Sequence, residues 1–206
     1  MTTDYIPNYE HIINQLLEQH YSIVDNFFSN TLLDELYLHL NYLYSTDKLK
    51  KSAIGKLDKF QILSEIRGDY IHWIDEQNLT PAETNFYKQL QDFIDYLNRT
   101  CYMGIVDKEL HYAVYPEGTY YKKHLDVFHK DQKRKLSFIL YLNKDWDPDN
   151  GGELIIYTNT NNIQKEIVVV PYYGRLVVFD SQLLEHEVKL VKNTNRFSIT
   201  GWFKLR

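Results

Sequence analysis

From residue 108 onward the chain is written almost entirely in short runs of Val, Ile, Leu, Tyr and Phe. Turn clusters such as Pro116-Glu117-Gly118, Pro148-Asp149-Asn150-Gly151-Gly152 and Tyr173-Gly174 separate them. Apolar runs of this length between Gly, Pro, Asn and Asp read as strands. They fall near residues 110–115, 120–124, 135–142, 153–157, 164–170, 175–179, 186–190 and 196–204. Eight short strands at this spacing must close or double over to bury their apolar faces, which a jelly roll or a barrel does.

The first half follows a helical period instead. Ile12, Ile13, Leu16 and Leu17 mark an amphipathic helix over 8–20, and Tyr21 to Phe28 reads as a strand. Ser29 or Asn30 can cap a second helix whose apolar face is Leu32, Leu33, Leu36, Leu40 and Leu43. Thr80-Pro81-Ala82-Glu83 is a capping box with proline at the first helical position, and that helix should run to about Arg99. Between them, residues 45–64 carry five lysines and little periodicity, so they read as a mobile loop. The fold class expected is therefore α+β, mainly β. A double-stranded β-helix, the jelly roll, fills 108–206 with N-terminal helices packed on it, and 206 residues without repeats suit a single domain.

Charge and composition exclude some functions. A formal net charge of −5 makes nucleic acid an unlikely partner, and the basic stretch Lys130, Lys133, Arg134, Lys135 reads as a solvated strand entrance. No run approaches the roughly 20 apolar residues of a membrane span, and the N-terminus lacks the pattern of a signal peptide. Cys101 is the only cysteine and cannot form an internal disulfide, so a cytoplasmic location is the default. Eighteen tyrosines suit strand packing and a polar pocket walled by aromatics. No feature sets an oligomeric state.

The chemistry-bearing pattern is His124-x-Asp126, then His186, then Arg196. At the end of an extended strand, residues i and i+2 face the same way, so His124 and Asp126 converge. With His186 they make two imidazoles and one carboxylate, the facial triad of non-heme iron(II) oxygenases, which leaves coordination positions for a keto acid and dioxygen. Arg196, on the last strand, offers a planar two-pronged grip for the distal carboxylate of 2-oxoglutarate. The pattern thus points to Fe(2+), 2-oxoglutarate and O2. The other histidines lack such spacing and read as structural, His129 least clearly so.

Five stretches then resemble a known family. They are Glu65-Ile66-Arg67-Gly68-Asp69-Tyr70-Ile71-His72-Trp73, Tyr120 through Asp126, Tyr141-Leu142-Asn143-Lys144-Asp145-Trp146, Gly151-Gly152-Glu153-Leu154 and Arg196 through Trp202. Together they are similar to prolyl 4-hydroxylases of the hypoxia-sensing type and their bacterial relatives, over roughly residues 20–204. The resemblance implies that Tyr141 joins Arg196 on the 2-oxoglutarate carboxylate and that Tyr115 lines the same pocket. It implies that Arg67, Asp69, Trp73, Tyr121 and Trp202 surround the peptide entrance, with loop 45–64 closing over the target. It further implies hydroxylation of a prolyl residue in a protein or peptide, release of succinate and CO2, and ascorbate as a possible reductant. The chain is short beside the animal enzymes and has no zinc-finger-like region, so a hypoxia-factor substrate does not follow. Two other readings keep the triad: the same chemistry on a free amino acid or other small molecule, and a non-catalytic jelly-roll module that binds metal or senses it.

Overall fold

The computed structural model describes residues 6–52, 66–127, 133–160 and 163–206. The helices are α1 (Ile6–Gln19), α2 (Asn30–Ser45) and α3 (Pro81–Cys101). The strands are β1 (Tyr21–Val24), β2 (Lys50–Lys51), β3 (Tyr70–Trp73), β4 (Asp107–Tyr115), β5 (Tyr121–His124), β6 (Arg134–Tyr141), β7 (Leu154–Thr160), β8 (Ile163–Val169), β9 (Leu176–Asp180), β10 (Glu185–Val188) and β11 (Arg196–Lys204). The last eight are the strands that the punctuated half of the sequence predicts. They divide into two antiparallel sheets, one ordered β1-β9-β6-β11-β4-β3-β2 and the other β5-β10-β7-β8.

The period of two in the strands explains the layering. Leu136, Phe138 and Leu140 of β6, Leu176 and Val178 of β9, and Ile199 and Phe203 of β11 face outward and pack on the helices. Their alternating neighbours Ile139, Tyr141, Val177 and Phe179 face inward and meet Leu154, Ile156 and Val169 of the smaller sheet. One set of strands therefore builds two cores. The helices supply matching stripes: Ile12, Ile13 and Leu16; Leu32, Leu36 and Leu40; Phe86, Leu90, Phe93, Ile94 and Leu97. Leu17, expected on the first stripe, is exposed instead.

The helix starts follow the sequence closely. The Ser29 hydroxyl accepts from Leu32 N at 3.3 Å. Thr80 Oγ1 accepts from Glu83 N at 3.2 Å, while the Glu83 carboxylate accepts from Thr80 N at 2.7 Å, which closes the capping box. Two expectations need correction. The strand expected over 21–28 ends at Val24, because Asn26 takes a left-handed φ of 61° that breaks the ladder. The part before residue 108 also holds more strand than the one expected: β1 extends the larger sheet at one edge, and β3 and β2 extend it at the other. No helix among the described residues is long and apolar enough to cross a membrane.

Candidate active site

The strand register brings the three proposed ligands together. β5 pairs with β10 so that His124 lies directly opposite His186, and their rings are 4.3 Å apart. Asp126 follows two residues after His124, with its carboxylate oxygens 3.5 Å from each Nε2. All three offer a ligand atom within 4.8 Å of the others. The far nitrogens are already spoken for: Nδ1 of His124 is 2.7 Å from the Lys122 carbonyl, and Nδ1 of His186 is 3.3 Å from the Leu184 carbonyl. A carbonyl only accepts, so in the neutral ring the proton sits on Nδ1 and Nε2 keeps its lone pair for a metal.

The protonation states suit the same task. Burial pushes His186 down to about 4, which keeps the imidazole neutral near pH 7. Burial alone would raise the Asp126 carboxyl, but the positive charge that the neighbouring imidazoles carry when protonated, His186 foremost, with hydrogen bonds from His124 and Ser137, holds it well below the usual carboxylate range. Ser137 Oγ donates to Asp126 Oδ2 at 2.6 Å and is itself 2.9 Å from Ser181 Oγ. Two imidazole nitrogens and an ionised carboxylate, each oriented from behind, are a donor set that fits iron(II).

Beside the triad, a cavity of about 830 Å³ reaches Arg196, the first residue of β11. Arg196 pairs in register with Tyr115 of β4, and Ser198 pairs with Tyr141 of β6, so three adjacent strands set these side chains together. Arg196 is 1% exposed, and its guanidinium lies 5.0 Å from the Tyr115 ring and 4.8 Å from the Tyr141 ring and donates from Nη2 to Tyr141 Oη at 3.2 Å. Its Nε has no partner, and no carboxylate pairs with it among the described residues. Burial raises both tyrosine hydroxyls, so each remains a donor. Ile139, Leu154 and Val188 wall the cavity with apolar surface. Gly152 lets the arginine lie where it does: its φ is +65°, and a Cβ there would come within 3.1 Å of Arg196 Cδ.

The residues expected around the mouth divide into groups. Arg67 donates to both oxygens of Asp69, at 2.7 and 2.5 Å, and its guanidinium lies 4.4 Å above the Tyr121 ring, which in turn stacks on His124 at 3.7 Å. Asp69 is fully buried and also accepts from Ser52 Oγ at 2.6 Å, so its carboxylate holds Arg67 in place and does not face the entrance. Trp73 is half-exposed and lies 6.3 Å from the nearly buried Trp202; both line the cavity. Of loop 45–64, residues 50–51 form β2 and 53–64 lie outside the described residues, as do Glu65, His129 and Lys130. Within the basic stretch, Arg134 packs 3.4 Å over Trp202 and pairs with Glu109, and Lys135 pairs with Asp180.

Two features escaped the sequence reading. Ser137 and Ser181 stand behind Asp126, and a lone serine inside the apolar run Leu136–Tyr141 was the available signal. His111, read as structural, is buried between Trp73 and Trp202 at 4.8 and 5.6 Å and touches the cavity. Nothing in its spacing marked it.

Comparisons agree with this geometry. A model of the 2OG-Fe(II) oxygenase superfamily matches residues 110–204, which carry His124, Asp126, His186 and Arg196. A hypoxia-inducible factor prolyl hydroxylase of Caenorhabditis elegans is 31% identical over 94% of this chain, which spans 28% of that enzyme's length. A Pseudomonas putida prolyl-4-hydroxylase superposes with a TM-score of 0.85 at 30% identity, covering 97% of this chain and 100% of its own. A Trichoplax adhaerens prolyl hydroxylase, solved with a peptide fragment of a hypoxia-inducible factor, superposes with a TM-score of 0.83 at 28% identity, covering 96% and 89%.

Proposed function

Because the chain belongs to the 2OG-Fe(II) oxygenase superfamily, we propose that it is an iron(II)- and 2-oxoglutarate-dependent dioxygenase that hydroxylates a prolyl residue of a protein target. The observation that carries this reading is the buried Arg196. A cation with no carboxylate partner among the described residues, set between two tyrosines in the cavity that holds the triad, needs an anionic ligand. The five-carbon dicarboxylate 2-oxoglutarate suits that need, with one end at Arg196 and Tyr141 and the keto acid end at the metal.

In this proposal His124, Asp126 and His186 hold the iron, and Tyr115 closes the wall beside the cosubstrate. When bound, iron with 2-oxoglutarate and dioxygen supplies the oxidising chemistry: the keto acid loses CO2, one oxygen atom enters succinate and the other enters a target C–H bond. The protein orients the reactants and keeps water out. Ile139, Leu154 and Val188 exclude solvent from the cosubstrate, while Arg67, held by Asp69, fixes Tyr121 against His124. Trp73, Tyr121 and Trp202 provide flat apolar surface at the mouth for a pyrrolidine ring and its neighbouring peptide. Ascorbate is proposed as the reductant that keeps iron in its ferrous form. Cytoplasm is the proposed location, on the ground that one cysteine forms no internal disulfide.

The test is mass spectrometry of proline-containing peptides and candidate proteins incubated with the enzyme, iron(II), 2-oxoglutarate and air. The proposal expects a gain of one oxygen on proline. Oxygen gained only on another residue, or on a small molecule with proline untouched, would sink the prolyl assignment.

A further inference from the structure

Among the described residues, six cationic side chains line the cavity, on a protein whose net charge is −5. Arg67 is balanced by Asp69, Arg134 is paired with Glu109, and Arg196 lies buried where the proposed cosubstrate binds. Three remain: Lys48, Lys50 and Lys51. All are exposed at the mouth, and none has a carboxylate partner among the described residues. Among the described residues that line it, the only carboxylate is Asp126, which the proposed iron takes up.

These lysines are not on a loose surface segment. Lys48 N donates to the Leu43 carbonyl at 2.9 Å, and the Lys48 carbonyl lies 3.1 Å from His72 Nδ1. Lys50 and Lys51 pair in register with Ile71 and Tyr70 of β3, and Ser52 N donates to the Asp69 carbonyl at 3.0 Å. The backbone thus fixes the Cα positions of three lysines at the entrance, two of them on the short ladder that carries Trp73. Each stem is long enough to swing its charge toward an incoming chain while its Cα stays put.

We propose that this rim selects a target whose hydroxylated proline is flanked by aspartate or glutamate, so that the substrate is an acidic peptide segment. The inference rests on the prolyl-hydroxylase reading above and specifies its substrate class. A polypeptide fits better than a nucleic acid. Three charges on a protein of opposite net sign give a local contact and no long phosphate track, and the cavity they guard is walled by aliphatic and aromatic groups. Exposed ion pairs are individually weak, and the three together give about tenfold in affinity at low salt.

The experiment measures binding and turnover separately. Fluorescent peptides with one central proline and acidic, uncharged or lysine-rich flanks are titrated, without oxygen, into the enzyme loaded with iron(II) and 2-oxoglutarate; a single-stranded oligonucleotide is a fourth probe. The acidic peptide should bind about tenfold tighter than the uncharged one, and added salt should erase the difference. The triple variant Lys48→Gln, Lys50→Gln, Lys51→Gln should lose the preference, and Lys→Glu at all three positions should transfer it to the lysine-rich peptide. Equal binding of all peptides, an unchanged preference in the triple variants, tighter binding of the oligonucleotide, or no binding at all would overturn the proposal. The same peptides are then exposed to air and read by mass spectrometry. Preferred binding of the acidic peptide without oxygen on proline would leave the rim standing and remove the prolyl reading. Proline hydroxylation indifferent to flanking charge would do the reverse.

Discussion

At the scale of single residues, the site is governed by two buried charges with different neighbours. Asp126 has three groups to stabilise its negative charge, whereas Arg196 has two tyrosines and no counterion among the described residues. Replacing Arg196 by lysine keeps the charge but loses the planar fork. Loss of one hydrogen bond to a charged group costs about 1.5–3 kcal/mol, so the KM for 2-oxoglutarate should rise about 10–100-fold with kcat less affected; steady-state kinetics checks this. Ser137→Ala removes the donor to Asp126 Oδ2, and iron affinity should fall about tenfold or more, measured by titrating iron(II) into the metal-free protein. The ligand candidates and Arg196 were legible because imidazole, carboxylate and guanidinium stood at strand positions in a telling order. Ser137 was not, since one serine in an apolar strand takes its meaning only from what lies across the sheet.

Secondary-structure elements were legible where a local signal marked both ends. Turn clusters bracket the last eight strands, and the Thr80 capping box and Ser29 cap mark two helix starts. β3 had no such signal: Tyr70–Trp73 is short, only partly buried, and exists because β4 offers it a partner about forty residues away in sequence. Its position is also set by the Arg67–Asp69 pair, which ties the approach to β3 to Ser52 beside β2. Asp69→Asn would leave the largely buried Arg67 without its counter-charge. The expected loss is about 3–5 kcal/mol of stability by urea denaturation, together with weaker peptide binding as the rim loosens.

Across the whole molecule, pH tests how the cores hold neutral histidines. Burial pushes His111 down to about 3 and His186 down to about 4, whereas both titrate near 6.5 when unfolded. Between these values the unfolded chain binds more protons than the folded one, so stability of the metal-free protein should fall as pH drops from about 6.5 toward 4. His111→Phe should flatten that slope in thermal unfolding scans from pH 7 to 4, leaving the share due to His186. Asp69 has its carboxyl lowered, against the opposing effect of burial, chiefly by Arg67, so its contribution is present above the unfolded carboxylate range and is lost only at more acid pH. The jelly-roll class was readable from the strand count, but the joining of β1, β2 and β3 to the larger sheet was not, because register between distant segments leaves no local trace.

The central claim is that His124, Asp126 and His186 with Arg196 make one site for iron(II) and 2-oxoglutarate that oxidises proline in a protein. Its most direct measurement is the stoichiometry of turnover: purified protein, iron(II), 2-oxoglutarate, oxygen and a proline-containing target, with succinate and hydroxylated product counted together. The expected result is one succinate for each oxygen placed on proline, with both products absent in Asp126→Ala. Succinate release independent of iron, or Asp126→Ala turning over at the wild-type rate, would contradict it.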